Sequence, residues 1–242
     1  MKKIAVILTF CLGMSLLAGC SSAPAQTTAA PETTAKVEGT QPAATEVGGW
    51  EFLDAASVLN EDEAAVFEKA TAEWTGTGLE PVAVIATQVV AGTNYCFLAK
   101  ITTISSTPER HYGFVYVYAD LEGNAKISSI KDIDINVDDS EDAGETTEGL
   151  MGGWTIAELE GITVENREVL EKALEGFVGS KIAPVACIAK QIVSGTNYCY
   201  VVKETRVTAE PVSYIALVYV YEDLDGNTEI LNIHTINHMP EE

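Results

Sequence analysis

"QVVAGTNYC" (Gln88–Cys96) returns as "QIVSGTNYC" (Gln191–Cys199), the same at seven of nine positions. In each copy apolar, β-branched residues flank a Gly-Thr-Asn turn, so each reads as a β-hairpin. With Gly92 laid over Gly195 the offset is 103 residues. The same offset aligns "FVYVY" (114–118) with "LVYVY" (217–221) and "DLEGN" (120–124) with "DLDGN" (223–227). Upstream, "GGW" at 48–50 meets "GGW" at 152–154 at an offset of 104, so the first copy carries one extra residue between. The chain reads as two copies of one domain of about 90 residues, small but large enough for a core.

Periodicity orders the elements within each copy. A short apolar strand at Trp50–Phe52, or Trp154–Ile156, comes first. A helix follows. In the first copy Asn60 caps it with Glu63 three residues on, and Val66, Phe67, Ala70 and Trp74 form one face before Gly76 and Gly78. In the second, Thr163 caps, and Val169, Leu170, Ala173, Leu174 and Phe177 face inward. Then come "PVAVIATQVVAG" (81–92), "TNYCFLAKIT" (93–102), "HYGFVYVYAD" (111–120) and "AKISSIKDIDI" (125–135), four runs rich in β-branched and aromatic residues. The order is β-α-β-β-β-β. One helix and an antiparallel meander bury their apolar sides against each other, which predicts an α+β fold with a sheet curled around the helix in each of two tandem domains. Val115, Val117 and Ala119 then face the helix, leaving Tyr116 and Tyr118 outside.

The flanks read differently. Lys2-Lys3, an apolar run from Ile4 to Leu17 and "LAGC" make residues 1–20 an export signal, its core too short to span a bilayer comfortably. The ending Leu17-Ala18-Gly19-Cys20 resembles a bacterial lipobox, which implies that Cys20 carries lipid and anchors the chain to the outer face of the cell membrane. Residues 21–46 are rich in Thr, Ala and Pro with almost no large apolar side chain, a disordered tether. Domain 1 is then 47–137 and domain 2 is 150–240. Between them, 138–149 ("DDSEDAGETTEG") carries six acidic residues and no basic one, a solvated linker. The net charge of −22 becomes two units more negative once Lys2 and Lys3 leave, which repels nucleic acid and anionic lipid alike. The lipid is the only membrane contact expected, and the protein is expected to be a monomer.

The glycine pair before the first strand, followed after the helix by Gln-x-Val-x-Gly at the first hairpin, resembles the cystatin and stefin family of cysteine-protease inhibitors. The resemblance runs through both copies. It implies a cystatin-like fold in each domain and a wedge that enters the active-site cleft of papain-like proteases by three edges. The trunk edge maps to Val47, Gly48 and Gly49 and to Leu150, Met151, Gly152 and Gly153, where apolar side chains before the glycines fill substrate pockets. The hairpin edge maps to Gln88, Val89, Val90, Ala91 and Gly92 and to Gln191, Ile192, Val193, Ser194 and Gly195. The third edge departs from the family: Leu121-Glu122-Gly123-Asn124 and Leu224-Asp225-Gly226-Asn227 stand where many members carry Pro-Trp or a proline. The implied function is reversible, non-covalent inhibition of papain-family cysteine proteases at the cell surface. The alternative is a binding module of the cell envelope that does not inhibit.

An enzyme is not expected. The chain has three histidines, His111, His234 and His238, and none has a counterpart in the other copy. "DLDGN" lacks the distal glutamate of a calcium loop, so no metal or cofactor is expected either. Centring the second hairpin on Val193 sets Cys187 opposite Cys199 and predicts a possible cross-strand disulfide. The matching pair in the first copy is Val84 and Cys96, which leaves Cys96 without a partner in its own domain.

Overall fold

The computed structural model describes residues 49–53, 59–136, 153–157 and 162–236. The signal, Cys20, the tether, Val47, Gly48, the acidic linker, Leu150, Met151, Gly152 and His238 lie outside the described residues.

The first half runs β1 (Trp50–Phe52), α1 (Glu61–Thr71), β2 (Thr77–Val90), β3 (Gly92–Thr103), β4 (Arg110–Ala119) and β5 (Ala125–Asp132). The second runs β6 (Thr155–Ile156), α2 (Val164–Ala173), β7 (Ser180–Val193), β8 (Gly195–Arg206), β9 (Ser213–Glu222) and β10 (Thr228–Ile236). Each half is one antiparallel five-stranded sheet whose strands neighbour one another in chain order, β1 to β5 and β6 to β10.

Helix starts follow the sequence. Asn60 Oδ1 accepts from the Glu63 backbone N–H at 2.8 Å while Glu63 Oε2 accepts from the Asn60 N–H at 3.0 Å, a complete capping box. Thr163 caps α2 by accepting from the Asn166 N–H at 3.2 Å. Both helices stop early, so Trp74 and Phe177 lie beyond their ends, and Trp74 is exposed.

The packing overturns the expected fold class. Neither half is a cystatin-like domain wrapped around its helix; the body of the molecule is two five-stranded sheets laid against each other, with a short helix on the outer face of each. Val84, Phe97, Ala99, Val115 and Val117 of the first sheet pack under Phe67 of α1. On the reverse face Ala86, Cys96, Leu98, Phe114 and Tyr116 join Ala189, Cys199, Val201, Leu217 and Tyr219 of the second sheet, in the largest apolar cluster among the described residues. Tyr198, Tyr200, Val202, Val218 and Val220 turn the other way, toward Val169 and Leu170 of α2.

The reason lies in the strands. Residues 112–117 and 215–220 are buried at every position. Strands buried on both faces read as continuous apolar runs, whereas a sheet with one wet face alternates apolar and polar. One helix of ten or eleven residues covers only one face. The other needs a second apolar surface, and the duplicate sheet supplies it. Tyr116 is therefore buried between the sheets and not outside, while Val115 and Val117 do face α1.

Polar links stitch the interface. Tyr112 donates its hydroxyl to the Ala157 carbonyl at 3.1 Å, Tyr219 donates to the Ile135 carbonyl at 3.0 Å, and Lys203 Nζ reaches the Phe52 and Leu53 carbonyls at 3.3 and 3.5 Å. Register shifts at Pro81/Ala83 and Val84/Ala86 recur at Pro184/Ala186 and Cys187/Ala189. Such bulges bend the strand and place a proline where a ladder hydrogen bond is already interrupted.

Candidate functional site

The β2–β3 hairpin turns at Ala91, between the paired Val90 and Gly92. Gly92 has φ +128°, a conformation β-branched residues adopt with difficulty, and a Cβ there would run into the Ala119 carbonyl oxygen and the Tyr118 ring. Gly195 repeats this with φ +134°, against the Glu222 carbonyl and Tyr221. Glycine is required at both positions for two independent reasons, backbone angle and space.

The turn is held from both sides. Tyr118 donates its hydroxyl to the Ala91 carbonyl at 2.5 Å, and Tyr221 donates to the Ser194 carbonyl at 2.6 Å. Across the strands, Asn94 Nδ2 donates to Gln88 Oε1 at 2.7 Å and Asn197 Nδ2 to Gln191 Oε1 at 2.8 Å. A tip fixed by its own backbone loses little conformational entropy when something docks on it.

What it presents is apolar. Val89 and Val90 are 51% and 40% exposed, and Ile192 and Val193 are 68% and 38% exposed. Ala91 and Ser194 are exposed between them. Beside each tip the next turn adds an outward leucine, Leu121 and Leu224, both more than four-fifths exposed. These turns are stiff as well. Asp120 accepts from the Asn124 side chain at 2.9 Å and from the backbone N–H groups of Asn124 and Glu122 at 2.8 and 3.0 Å. The Asn124 side chain first, then these backbone donors, hold the Asp120 carboxyl below its usual range. Asp223 is held down in the same way, by Asn227 first. Lys69 at the end of α1 donates to the Gly123 carbonyl at 3.1 Å, and Lys172 of α2 reaches the Gly226 carbonyl, so helix and turn are tied in both halves.

The trunk lands at the same end. Trp50 pairs with Gln88, which sets Gly49 beside Val89. Thr155 pairs with Lys190, which sets Gly153 close to Ile192. Of the residues singled out in sequence, Gly49, Val89, Val90 and Ala91 gather at one end of the first sheet, and Gly153, Ile192, Val193 and Ser194 at one end of the second.

Four of the expected contact residues lie beneath the exposed tips. Gln88 and Gln191 are buried and hold the hairpins together, and Gly92 and Gly195 are buried beneath the tips. The tyrosines that fix the tips went unrecognised in the sequence, although "YVY" stands at the matching place in both copies and its third residue is the one that reaches the tip.

The expected Cys187–Cys199 pair is also corrected. Cys187 lies opposite Tyr200 and Cys199 opposite Ala189. The hairpin is centred on Ser194 and not Val193, and the bulge at Cys187/Ala189 shifts the register, so Cys187 faces α2 while Cys199 faces the other sheet. Cys96, Cys187 and Cys199 are all free and buried. Burial pushes the Cys96 and Cys187 thiols up to about 12 and Cys199 higher still, although hydrogen bonds with Tyr116 and Tyr219 pull against this at Cys96 and Cys199. Burial of this kind favours the neutral thiol, the form in which cysteine packs as a small apolar side chain.

Among the described residues no group of three or more His, Cys, Asp or Glu side chains is placed to hold a metal ion, and His111 is paired with Asp132 at 3.0 Å. No protein-family model matches the chain, and a search of the curated proteins finds no match.

Proposed function

We propose that the protein is a non-catalytic, lipid-anchored binder at the outer face of the cell membrane, which acts by inserting the stiffened apolar end of each sheet into a cleft on a partner protein. The partner class is the papain-like cysteine proteases, and the consequence is reversible, non-covalent occlusion of their active-site cleft. One observation carries this reading: in each half the trunk glycine, the aliphatic hairpin tip and an outward leucine converge on one end of a sheet, and the tip is tied to the strand beneath it. Exposed aliphatic side chains gathered at one place, as opposed to scattered singly over the surface, favour an interaction surface. Rigidity lowers the cost of being covered.

The test is a titration of papain activity with the full chain and with a Val90→Asp/Val193→Asp double variant. Micromolar or tighter inhibition that the double variant loses supports the reading. Absence of inhibition by the unaltered chain sinks it.

A second reading rests on the acidic turns. Glu122 and Asp225 flank the leucines where an inhibitor gains from apolar bulk. A binder that grips a partner beside its cleft without closing it would form the same complex yet leave hydrolysis of a small peptide substrate unchanged.

A further inference from the structure

The two recognition ends belong to sheets that pack on each other, and the interface fixes their relative direction. Positions along each sheet can be counted as rungs from its own hairpin tip, Gly92 or Gly195. Tyr219 pairs with Cys199, four rungs from the second tip, and its hydroxyl reaches Ile135, which lies past the end of β5 at Asp132, the far end of the first sheet. Tyr112 pairs with Lys100, eight rungs from the first tip, and reaches Ala157, whose N–H bonds Ile188, five residues from Val193. Lys203 lies eight rungs from Gly195 and reaches Phe52 and Leu53, which sit beside Ala86 and Ile85, four and five residues from Val90. In all three contacts a residue near one tip meets a residue far from the other.

The sheets are therefore opposed, and the tips point out of opposite ends of the molecule. Near and far rungs together span about thirteen residues, which at about 3.3 Å per residue sets the tips about 40 Å apart. A globular partner of about 200 residues has a radius of gyration of about 17 Å. Two such partners docked end-on at opposite poles point away from each other and do not collide.

We infer that the protein is two-headed: one chain holds two partner molecules at once, one on Val89–Val90–Ala91 and one on Ile192–Val193–Ser194. This rests on the cleft-binding reading above and adds its stoichiometry. Opposed heads cannot grip two faces of one small globule. They bridge two molecules, and where partners are clustered the second capture proceeds at raised effective concentration.

The experiment is sedimentation of the full chain with excess papain whose catalytic cysteine is replaced by serine. The expected result is a complex of two papain molecules per chain. Val90→Asp alone and Val193→Asp alone should each give one per chain, and the double variant none, with circular dichroism unchanged because these side chains are exposed in the free protein. Affinity at the altered head should fall at least about 100-fold, as expected when an unpaired charge is forced into an apolar contact. A complex saturating at one papain per chain, or one single variant abolishing both sites, overturns the two-headed arrangement while leaving cleft binding standing. No complex at all overturns the cleft-binding reading, and the two-headed inference falls with it.

Discussion

The Tyr118 hydroxyl bonds the Ala91 carbonyl across the mouth of the first hairpin, and Tyr221 makes the same bond to Ser194 in the second. Each tyrosine pins the residue at the top of the turn. Tyr118→Phe keeps the ring packed against Gly92 and removes only the bond, so it should cost about 1 kcal/mol of stability. Faster amide exchange at Val90 to Thr93, with the second hairpin unchanged, is the expected signature.

Replacing Gly92 or Gly195 by valine attacks the same element through the backbone. The φ of each glycine is unfavourable for a β-branched residue, and the added Cβ meets a carbonyl oxygen of β4 or β9. Each substitution should lower stability by about 2 kcal/mol or more, read from urea midpoints. Loss of partner binding should be confined to the altered end.

The free thiols make two predictions. In the folded protein Cys96, Cys187 and Cys199 should resist a thiol reagent at pH 8 and react once urea is added, and peptide mapping should find no bond between Cys187 and Cys199. The pH dependence follows from burial. The folded pKa of Cys96 and Cys187 is raised from 9.0 to about 12. Their contribution is therefore complete below pH 9 and is lost as pH rises toward 12, because the unfolded chain releases the proton first. Stability should fall on the alkaline side by up to about 1.4 kcal/mol per pH unit for each thiol.

Because the central core lies between the sheets, the halves depend on each other. Leu98→Ala, in the middle of that cluster, should cost about 2–5 kcal/mol. Both sheets should still melt in one transition. An isolated half carrying only residues 47–137 would expose Leu98, Phe114 and Tyr116, and it should self-associate or lose its tertiary signal in near-ultraviolet circular dichroism.

The duplication, the order of elements, Asn60 and Thr163 as helix caps, and the turns at 120–124 and 223–227 were legible because each depends on a few neighbouring residues. Gly-Thr-Asn, in contrast, is not the hairpin turn it reads as: the chain turns at Ala91 and Ser194, and Thr93, Asn94, Thr196 and Asn197 pair within the strands. The fold class was not. Whether a strand is buried on one face or two depends on what covers it, and one copy considered alone offers only its helix as a cover. The clue was present in "CFLA" and "FVYVY", whose uninterrupted apolar residues leave no wet face. The geometry of the candidate site was legible in part. Val89, Val90, Ile192 and Val193 were recognised as exposed tips, but the burial of Gln88 and Gln191 depends on asparagine partners across the strand that no local motif shows. The cysteine register failed first because the hairpin is centred on Ser194 and not Val193, and second because a bulge adds a residue on one strand only and turns Cys187 to the other face, which nothing in "ACIAK" marks.

Hydrogen exchange of the full chain with and without inactive papain tests the proposed recognition ends most directly. Protection should appear at Val89 to Gly92 and at Ile192 to Gly195, with smaller changes at the Asp120–Asn124 and Asp223–Asn227 turns, and none over α1, α2, β5 or β10. Protection centred on the helices or the edge strands, or no protection at either tip, would contradict the assignment of the hairpin ends as the surface this protein uses.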